Sequence, residues 1–369
     1  MKVGILGGGQ LGRMLALEGY PLGLQFRFLE PFPDAPVCGL GEVILAPYDD
    51  LEALEPFARG LDLVTYEFEN VPIGTARALE ARLPVLPPAG ALQVAQDRLS
   101  EKQAFEAIGI PTADYVPIHQ RGELDPAAAR LGLPAVLKTR RWGYDGKGQV
   151  VLRTHAEMDA AWERLGGRPL ILERLVPFSR ELSILGVRGR GGETRFYPLV
   201  ENEHREGILH LSIAPAPVVT EALQHKAESY LQSLMERLEY VGVLALELFQ
   251  EGDHLLANEM APRVHNSGHW TLDGAECSQF ENHLRAVCGF PLGSTAPLGH
   301  AGMVNLVGSP PPVERILAIP GARLHLYDKA PRPGRKLGHV NVVATGPAEL
   351  REALERVEAE VSGASPGGP

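Results

Sequence analysis

The opening run M-K-V-G-I-L passes through Gly7, Gly8, Gly9, Gln10, Leu11 and Gly12 into the helix-forming R-M-L-A-L-E. A strand that turns through glycines into a helix commits the first part of the chain to alternation, because a parallel neighbour needs a crossover connection. Further apolar strands are expected at Leu24–Leu29, Glu42–Leu45, Leu61–Tyr66 and Pro84–Leu86, with helical stretches between several of them. Residues 1–96 therefore read as an α/β unit around a parallel sheet. Gly7, Gly9 and Gly12 also meet the G-x-G-x-x-G spacing, and Glu30 stands near the end of the second strand, so a dinucleotide-dependent oxidoreductase is one reading of this segment.

At 369 residues the chain exceeds one ordinary core, and two or three domains of roughly 100–200 residues are expected. A net charge of −11 argues against a protein that wraps nucleic acid or adheres to anionic lipid, both of which need a positive footprint. Cys38, Cys277 and Cys288 form no C-x-x-C pair, which supports neither a disulfide framework nor a zinc knuckle and fits a reducing cytoplasm. No basic leader and no long uninterrupted apolar run is present, so no membrane anchor is expected.

Pro87-Pro88-Ala89-Gly90 marks a break, and Asp97 can cap a helix over Arg98–Ile108 that opens a second unit, 97–290. Strands Ala135–Lys138 and Gln149–Leu152 flank the loop Thr139–Gly148, and Leu170–Glu173 is a further strand. In the helix Leu223–Leu238, residues Leu223, Ala227, Leu231, Leu234 and Leu238 share one face and read as core. A third section, 291–369, carries strands near Ala301–Leu306 and His325–Tyr327, a last helix within Pro347–Val361 and a tail from Gly363 expected to be disordered.

Four segments carry chemistry. In W-G-Y-D-G-K-G-Q (Trp142–Gln149), glycines let backbone amides approach phosphate, and Lys147 or Lys138 supplies charge; no Walker spacing is present and no helix follows, and the ordinary reading is a hairpin loop. Val243–Phe249 and His254–Met260 read as a hairpin in which a loop of three or five residues would put Glu247 and Glu259 on one face, while an even loop would split them. Both carboxylates sit in apolar runs where an unpaired charge is costly, so a metal–nucleotide site outweighs the ordinary reading of exposed strand charges. Strict alternation turns Asn258 to the other face, so its participation needs a local irregularity. The loop Arg263, His265, Asn266, Ser267, His269 suggests anion recognition, whereas a zinc pair of His265 and His269 lacks a third ligand. Lys329, Arg332, Arg335 and Lys336 read as a phosphate grip in an acidic protein, against the alternative of a solvated basic turn.

Taken together, G-G-G-Q-L-G-R-M at 7–14, T-Y-E-F-E-N-V-P at 65–72, K-T-R-R-W-G-Y-D-G-K-G-Q at 138–149, N-E-M-A-P-R-V-H-N-S-G-H-W-T at 258–271 and Y-D-K-A-P-R-P-G-R-K at 327–336 resemble the N5-carboxyaminoimidazole ribonucleotide synthetases of the ATP-grasp superfamily. The resemblance spans nearly the whole chain. It implies a three-domain α/β architecture: a Rossmann-like pre-ATP-grasp domain, an ATP-grasp domain holding ATP between two halves, and a small C-terminal domain. It implies an ATP-, magnesium- and bicarbonate-dependent ligase of purine biosynthesis, with manganese as an alternative metal, aminoimidazole ribonucleotide as substrate and a homodimeric state.

By that resemblance ATP is surrounded by Arg98, Lys138, the loop Gly143, Tyr144, Asp145, Gly146, Lys147, Gly148 and Gln149, the hinge Glu173, Arg174, Leu175 and Val176, and by Glu181, His204, Asn258 and Glu259. Glu247 and Glu259 are the implied metal ligands. Gln10, Leu11, Glu67, Tyr144, Ser267, Lys329, Arg335 and Lys336 line the substrate side, and Asp145, Lys147, Arg263, His265 and Asn266 stand at the reacting groups. His265 and Asp145 are both open as handlers of the amine's proton. The rival readings are another ATP-grasp ligase, such as a formate-dependent glycinamide ribonucleotide transformylase or a biotin carboxylase, the oxidoreductase above, and a nucleotide-binding regulatory module without turnover.

Overall fold

In the computed structural model, which describes residues 1–143, 146–309 and 311–362, the opening run forms β1 (Lys2–Leu6) and is followed by the helix Gln10–Gly19. Tyr144, Asp145 and the tail 363–369 lie outside the described residues. Strands β2 (Gln25–Glu30), β3 (Glu42–Leu45) and β4 (Leu63–Tyr66) join β1 in a parallel sheet of order β3-β2-β1-β4. The strand expected at Pro84–Leu86 does not form. Val85 makes only an isolated bridge to Val64, because Pro84 and Pro87 remove the donors that would extend it.

The glycine turn is filled from within. Glu67, just beyond β4, accepts from Gly9 N at 2.7 Å and from Leu11 and Gly12 N at 3.1 Å, and Glu30 accepts from Gly8 N at 2.7 Å and from the Tyr48 hydroxyl at 2.8 Å. A Cβ at Gly7 or Gly9 would come within 2.4 or 2.5 Å of the Glu67 side chain, so these glycines are needed for the carboxylate to approach. Donors that a dinucleotide pyrophosphate would use are therefore occupied by protein carboxylates, and Glu30 turns to the loop rather than to a ribose. The oxidoreductase reading ends on this geometry. Burial pushes the Glu67 carboxyl above its ordinary value, against the amides of Gly12 and Gly9 and the charges of Lys329 and Arg263.

The central part contains two sheets. Strands β5 (Tyr115–Ile118), β6 (Ala135–Thr139), β7 (Gln149–Leu152) and β8 (Leu170–Arg174) form an antiparallel sheet of order β5-β8-β6-β7. Its core of Leu137, Leu152 and Leu172 packs on Leu124 and Met158 from the helices Leu124–Leu131 and Met158–Leu165.

Strands β9 (Arg180–Arg188), β10 (Thr194–Phe196), β11 (Val200–Arg205), β12 (Ile208–Ala214), β13 (Gly242–Glu251), β14 (His254–Ala261), β15 (His300–Val307), β16 (Ala322–Leu326) and β17 (Lys336–Ala344) build the larger sheet. Its order is β14-β13-β9-β11-β12-β15-β17-β16, with β10 on β9. The strands beyond residue 291 thus continue the same sheet, with β17 toward the edge opposite β14, and Lys336 at the start of β17 is close enough to Glu247 for its charge to be felt there. The helix Glu221–Arg237 buries Leu223, Ala227, Leu231 and Leu234 against Leu182, Ile184, Leu244 and Leu246, as its spacing requires. Among the described residues no helix is long and apolar enough to cross a membrane.

Replacing Glu67 with Ala leaves three loop amides without their acceptor, and a loss of about 1–3 kcal/mol in unfolding free energy is expected from urea denaturation. An unchanged midpoint would show that the loop does not depend on the carboxylate.

Candidate active site

Strands β13 and β14 are joined by the two-residue turn Gly252-Asp253, since Glu251 pairs with His254. This corrects the expected loop of three or five residues, and by strict alternation an even loop would separate the two glutamates. A bulge restores them. Leu248 pairs with Ala257 and Leu246 with Met260, so Asn258 and Glu259 together oppose Glu247. The irregularity that Asn258 required is therefore the same one that realigns Glu259.

The helix Arg98–Glu106 secures this bulge. Asp97 caps it, accepting from Leu99 and Ser100 N at 3.0 and 3.4 Å, and also grips Arg140 at the root of the glycine loop at 2.8 and 3.0 Å. Arg98 Nη1 lies 2.6 Å from Glu259 Oε2, and buried Glu101 accepts from Met260 N at 2.6 Å. Burial, then the neighbouring Glu259 charge, raises the Glu101 carboxyl's pKa.

At the ends of β6 and β8, Lys138 Nζ stands 3.0 Å and Lys102 Nζ 3.4 Å from the same Glu173 oxygen, and Lys102 donates to the Thr112 hydroxyl at 2.8 Å. Burial opposes ionisation of Glu173, but the charges of Lys138, Lys102 and Arg98 prevail and hold it at about 2. Glu173 Oε1 and Asn258 Oδ1 are buried without a protein partner. Arg174 and Leu175 N donate to Asp114 and Pro134 carbonyls at 2.9 and 3.3 Å, Val176 is buried, and Phe178 stacks on Phe249 with centroids 4.7 Å apart. Glu181 and His204 form a close ion pair across the sheet; burial pulls the imidazole down, yet Glu181 and Glu247 raise its pKa.

Of the glycine loop, Gly143, Gly146, Lys147, Gly148 and Gln149 are described; Gly146 and Gly148 adopt φ of +70° and +74°, where L side chains are strained. A Cβ on Gly146 would meet the Gly207 Cα at 3.0 Å, so the loop reaches the turn between β11 and β12.

The third group faces the first unit. His265 Nε2 stands 3.2 Å from Glu247 Oε1; burial opposes ionisation of Glu247, but this hydrogen bond, with His204 and Lys336 nearby, lowers its pKa. Arg263 pairs closely with Glu69, and Asn266 Nδ2 lies 3.3 Å from Asn305 Oδ1. Lys329 donates to Gln10, beside buried Leu11, and its pKa is lowered to about 8, by burial first and then against the pull of Glu67 by Arg335, Lys336 and Arg332. Arg335 turns back to the Ala330 carbonyl at 3.2 Å. Ser267 is buried, its hydroxyl engaged by Ser183 and His265 at 2.8 and 2.9 Å. His269 is fully buried against Gln279 and His339, away from any pairing with His265.

Lys102, Glu101 and Glu69 escaped the sequence reading. Arg98, Glu101 and Lys102 lie at i, i+3 and i+4, so a charged stripe on one helix face was the available signal. Glu69 lies within the T-Y-E-F-E-N-V-P segment, which was the available signal, but its partner Arg263 comes from a distant part of the chain.

Two carboxylates joined by a bulge, a lysine-held glutamate at a strand end and a glycine loop over an antiparallel sheet define an ATP-grasp ligase. Residues 1–96 match the ribonucleotide synthetase preATP-grasp domain, 103–280 the ATP-grasp domain and 301–353 the phosphoribosylaminoimidazole carboxylase C-terminal domain. The chain is 54% identical over 359 residues to N5-carboxyaminoimidazole ribonucleotide synthase of Pseudomonas aeruginosa, covering 97% of this chain and 99% of the relative. It superposes on the N5-carboxyaminoimidazole ribonucleotide synthetase of Thermus thermophilus with a TM-score of 0.94 at 59% identity, covering 99% and 100% of the two chains. A synthase from Aspergillus clavatus, solved with ADP and 5-aminoimidazole ribonucleotide, matches with a TM-score of 0.92 at 31% identity over 98% of each chain. The chain belongs to the N5-carboxyaminoimidazole ribonucleotide synthase family, ATP-dependent carbon–nitrogen ligases.

Because Glu173 has its pKa depressed from 4.5 to about 2, its contribution to stability is present above pH 4.5 and lost as pH falls toward 2. The stability difference between the parent and Glu173→Gln, from denaturation at a series of pH values, should shrink across that window. A pH-independent difference would contradict the ion-pair assignment.

Proposed function

We propose that this chain joins bicarbonate to the 5-amino group of aminoimidazole ribonucleotide, with ATP cleaved to ADP and phosphate. The observation that carries the residue assignment is the bulge: it sets Glu247, Asn258 and Glu259 together between the Lys138–Glu173 side and the Arg263–His265–Lys336 side. The Aspergillus clavatus synthase, solved with ADP and 5-aminoimidazole ribonucleotide, supports the ribonucleotide as substrate beside an adenine nucleotide.

Bicarbonate is a poor electrophile. Its oxygen attacks the γ-phosphorus, the β–γ bridging bond breaks, and ADP leaves behind carboxyphosphate. The amine nitrogen then bonds to the carboxyl carbon, directly or after carbon dioxide is released in place, phosphate departs and the nitrogen loses a proton. Phosphoryl transfer is mostly positioning and charge neutralisation, which Arg98, Lys138 and the amides of 143–149 supply. Glu181 and His204 bind toward the ribose, and Gln10, Glu67, Arg263, Asn266, Lys329 and Lys336 orient the ribonucleotide and bicarbonate. The glycine loop, including Tyr144, Asp145 and Lys147, keeps water from the intermediate.

Magnesium, or manganese, would be held by Glu247 and Glu259, with the buried, unpartnered Asn258 Oδ1 beside them. That all-oxygen set suits a hard cation. Among the described residues no group of three or more His, Cys, Asp or Glu is arranged to hold a metal. When bound, the ion neutralises charge on the triphosphate. We take 1–96, 97–290 and 291–369 as the domains, the cytoplasm as the compartment and a homodimer as the state, on the strength of the family.

Phosphate release from Mg-ATP should be weak until bicarbonate and aminoimidazole ribonucleotide are both supplied. Full activity with formate and glycinamide ribonucleotide would overturn the substrate assignment. Glu259→Gln should lower kcat by about 100-fold or more while folding normally; parental turnover would remove Glu259 from the metal site.

A further inference from the structure

A row of polar side chains crosses the larger sheet beneath the loop that carries His265. Glu247 on β13 pairs directly with Ser183 on β9, and Asn202 on β11 pairs directly with Ser212 on β12. Ser183 and Ser212 are fully buried, Ser267 is 1% exposed and Asn202 9%. An apolar residue would fill each of these places at less cost unless its hydrogen bonds were complete.

They are complete, and they run in one direction. The Ser212 hydroxyl donates to Asn202 Oδ1 at 2.7 Å, the Asn202 amide donates to Ser183 Oγ at 2.9 Å, and Ser183 Oγ donates to Ser267 Oγ at 2.8 Å. A hydroxyl has a single proton. Ser267 accepts from Ser183, so its own proton goes to His265 Nδ1, 2.9 Å away. The Ser267 backbone N–H, which can only donate, points at the same nitrogen from 3.4 Å. The other end of the ring agrees: Nε2 lies 3.2 Å from Glu247 Oε1, and a carboxylate only accepts. Gln279 holds the loop itself, accepting from His265 N at 2.8 Å and donating to His265 O at 2.7 Å. A neutral imidazole has one N–H, and here both neighbours demand that it be at Nε2.

We propose that Ser183 and Asn202 are positioning residues that, through Ser267, lock His265 as the Nε2–H tautomer, so that His265 meets the Glu247 side of the active site as a hydrogen-bond donor and not as a base. Neither Ser183 nor Asn202 touches a ligand; both act through the ring. The assignment rests on the reading of His265 as an active-site residue, and it removes the imidazole as acceptor of the amine's proton.

The test separates tautomer from turnover. Protein labelled with 15N at histidine is examined in mildly alkaline buffer by long-range proton–nitrogen correlation, with His265→Gln identifying the signal. The expected spectrum shows protonated Nε2 and bare Nδ1. Ser183→Ala breaks the chain, and Asn202→Asp, nearly isosteric, reverses it by drawing the Ser183 proton toward a carboxylate. Each should convert the signal to a mixture of tautomers and lower kcat by about 10- to 100-fold with little change in KM for ATP. A parental protein protonated at Nδ1 overturns the proposal, as does a Ser183→Ala enzyme with parental tautomer or parental kcat, whatever its melting temperature. If the parental protein fails to turn over aminoimidazole ribonucleotide, the functional reading fails, while the spectra still decide the tautomer assignment.

Discussion

The bulge at Asn258 and Glu259 is the constraint on which the active site depends. A regular ladder closed by the turn Gly252-Asp253 would send Glu259 to the face opposite Glu247, and the two carboxylates would be separated. A bulge disrupts the ladder, so the structure compensates from the side. Glu101 takes the Met260 amide and Arg98 takes the Glu259 carboxylate, both from one turn of a helix whose cap, Asp97, also anchors Arg140. The same few residues therefore hold the bulge carboxylate Glu259 and the base of the glycine loop together.

Charge is the second theme. Arg98, Lys102 and Lys138 are set against Glu173 and Glu259 within a largely buried region of an acidic protein. Isolated, any of these ions would be costly to bury; paired, they form a surface with cationic groups ready for phosphate and two oxygen atoms, Glu173 Oε1 and Asn258 Oδ1, unsatisfied by protein. The glycine turn after β1 shows the opposite use of the same physics. Its amides would suit a phosphate, but Glu67 and Glu30 satisfy them internally, and a turn with a dinucleotide spacing becomes a rigid wall next to Gln10 and Lys329.

Much of this was legible in the residues. Strand and helix periods placed β1 to β4, the helix Glu221–Arg237 and both strands of the β13–β14 hairpin to within a few positions, because burial of one face dictates the period. Motif order identified the ligase chemistry, and Lys138, Glu173, Glu247, Glu259, His265 and Lys336 were all singled out. Where local reading failed, long-range geometry was the reason: the hairpin loop was expected to be odd, and the strand at Pro84–Leu86 reduced to one bridge between prolines.

The sequence by itself determined the family to which the chain belongs, the candidate side chains for its chemistry and most of the runs that form the layers, since motif and spacing are local properties. Only the tertiary structure decided how those side chains meet. The occupation of the glycine turn by Glu67, the Lys102–Glu173–Lys138 cluster and the link from Ser183 to Ser267 each join segments tens of residues apart, and the bulge between neighbouring strands is held by Glu101, 159 residues before Met260. Their geometry follows from sheet register and helix packing, which no short stretch of sequence encodes.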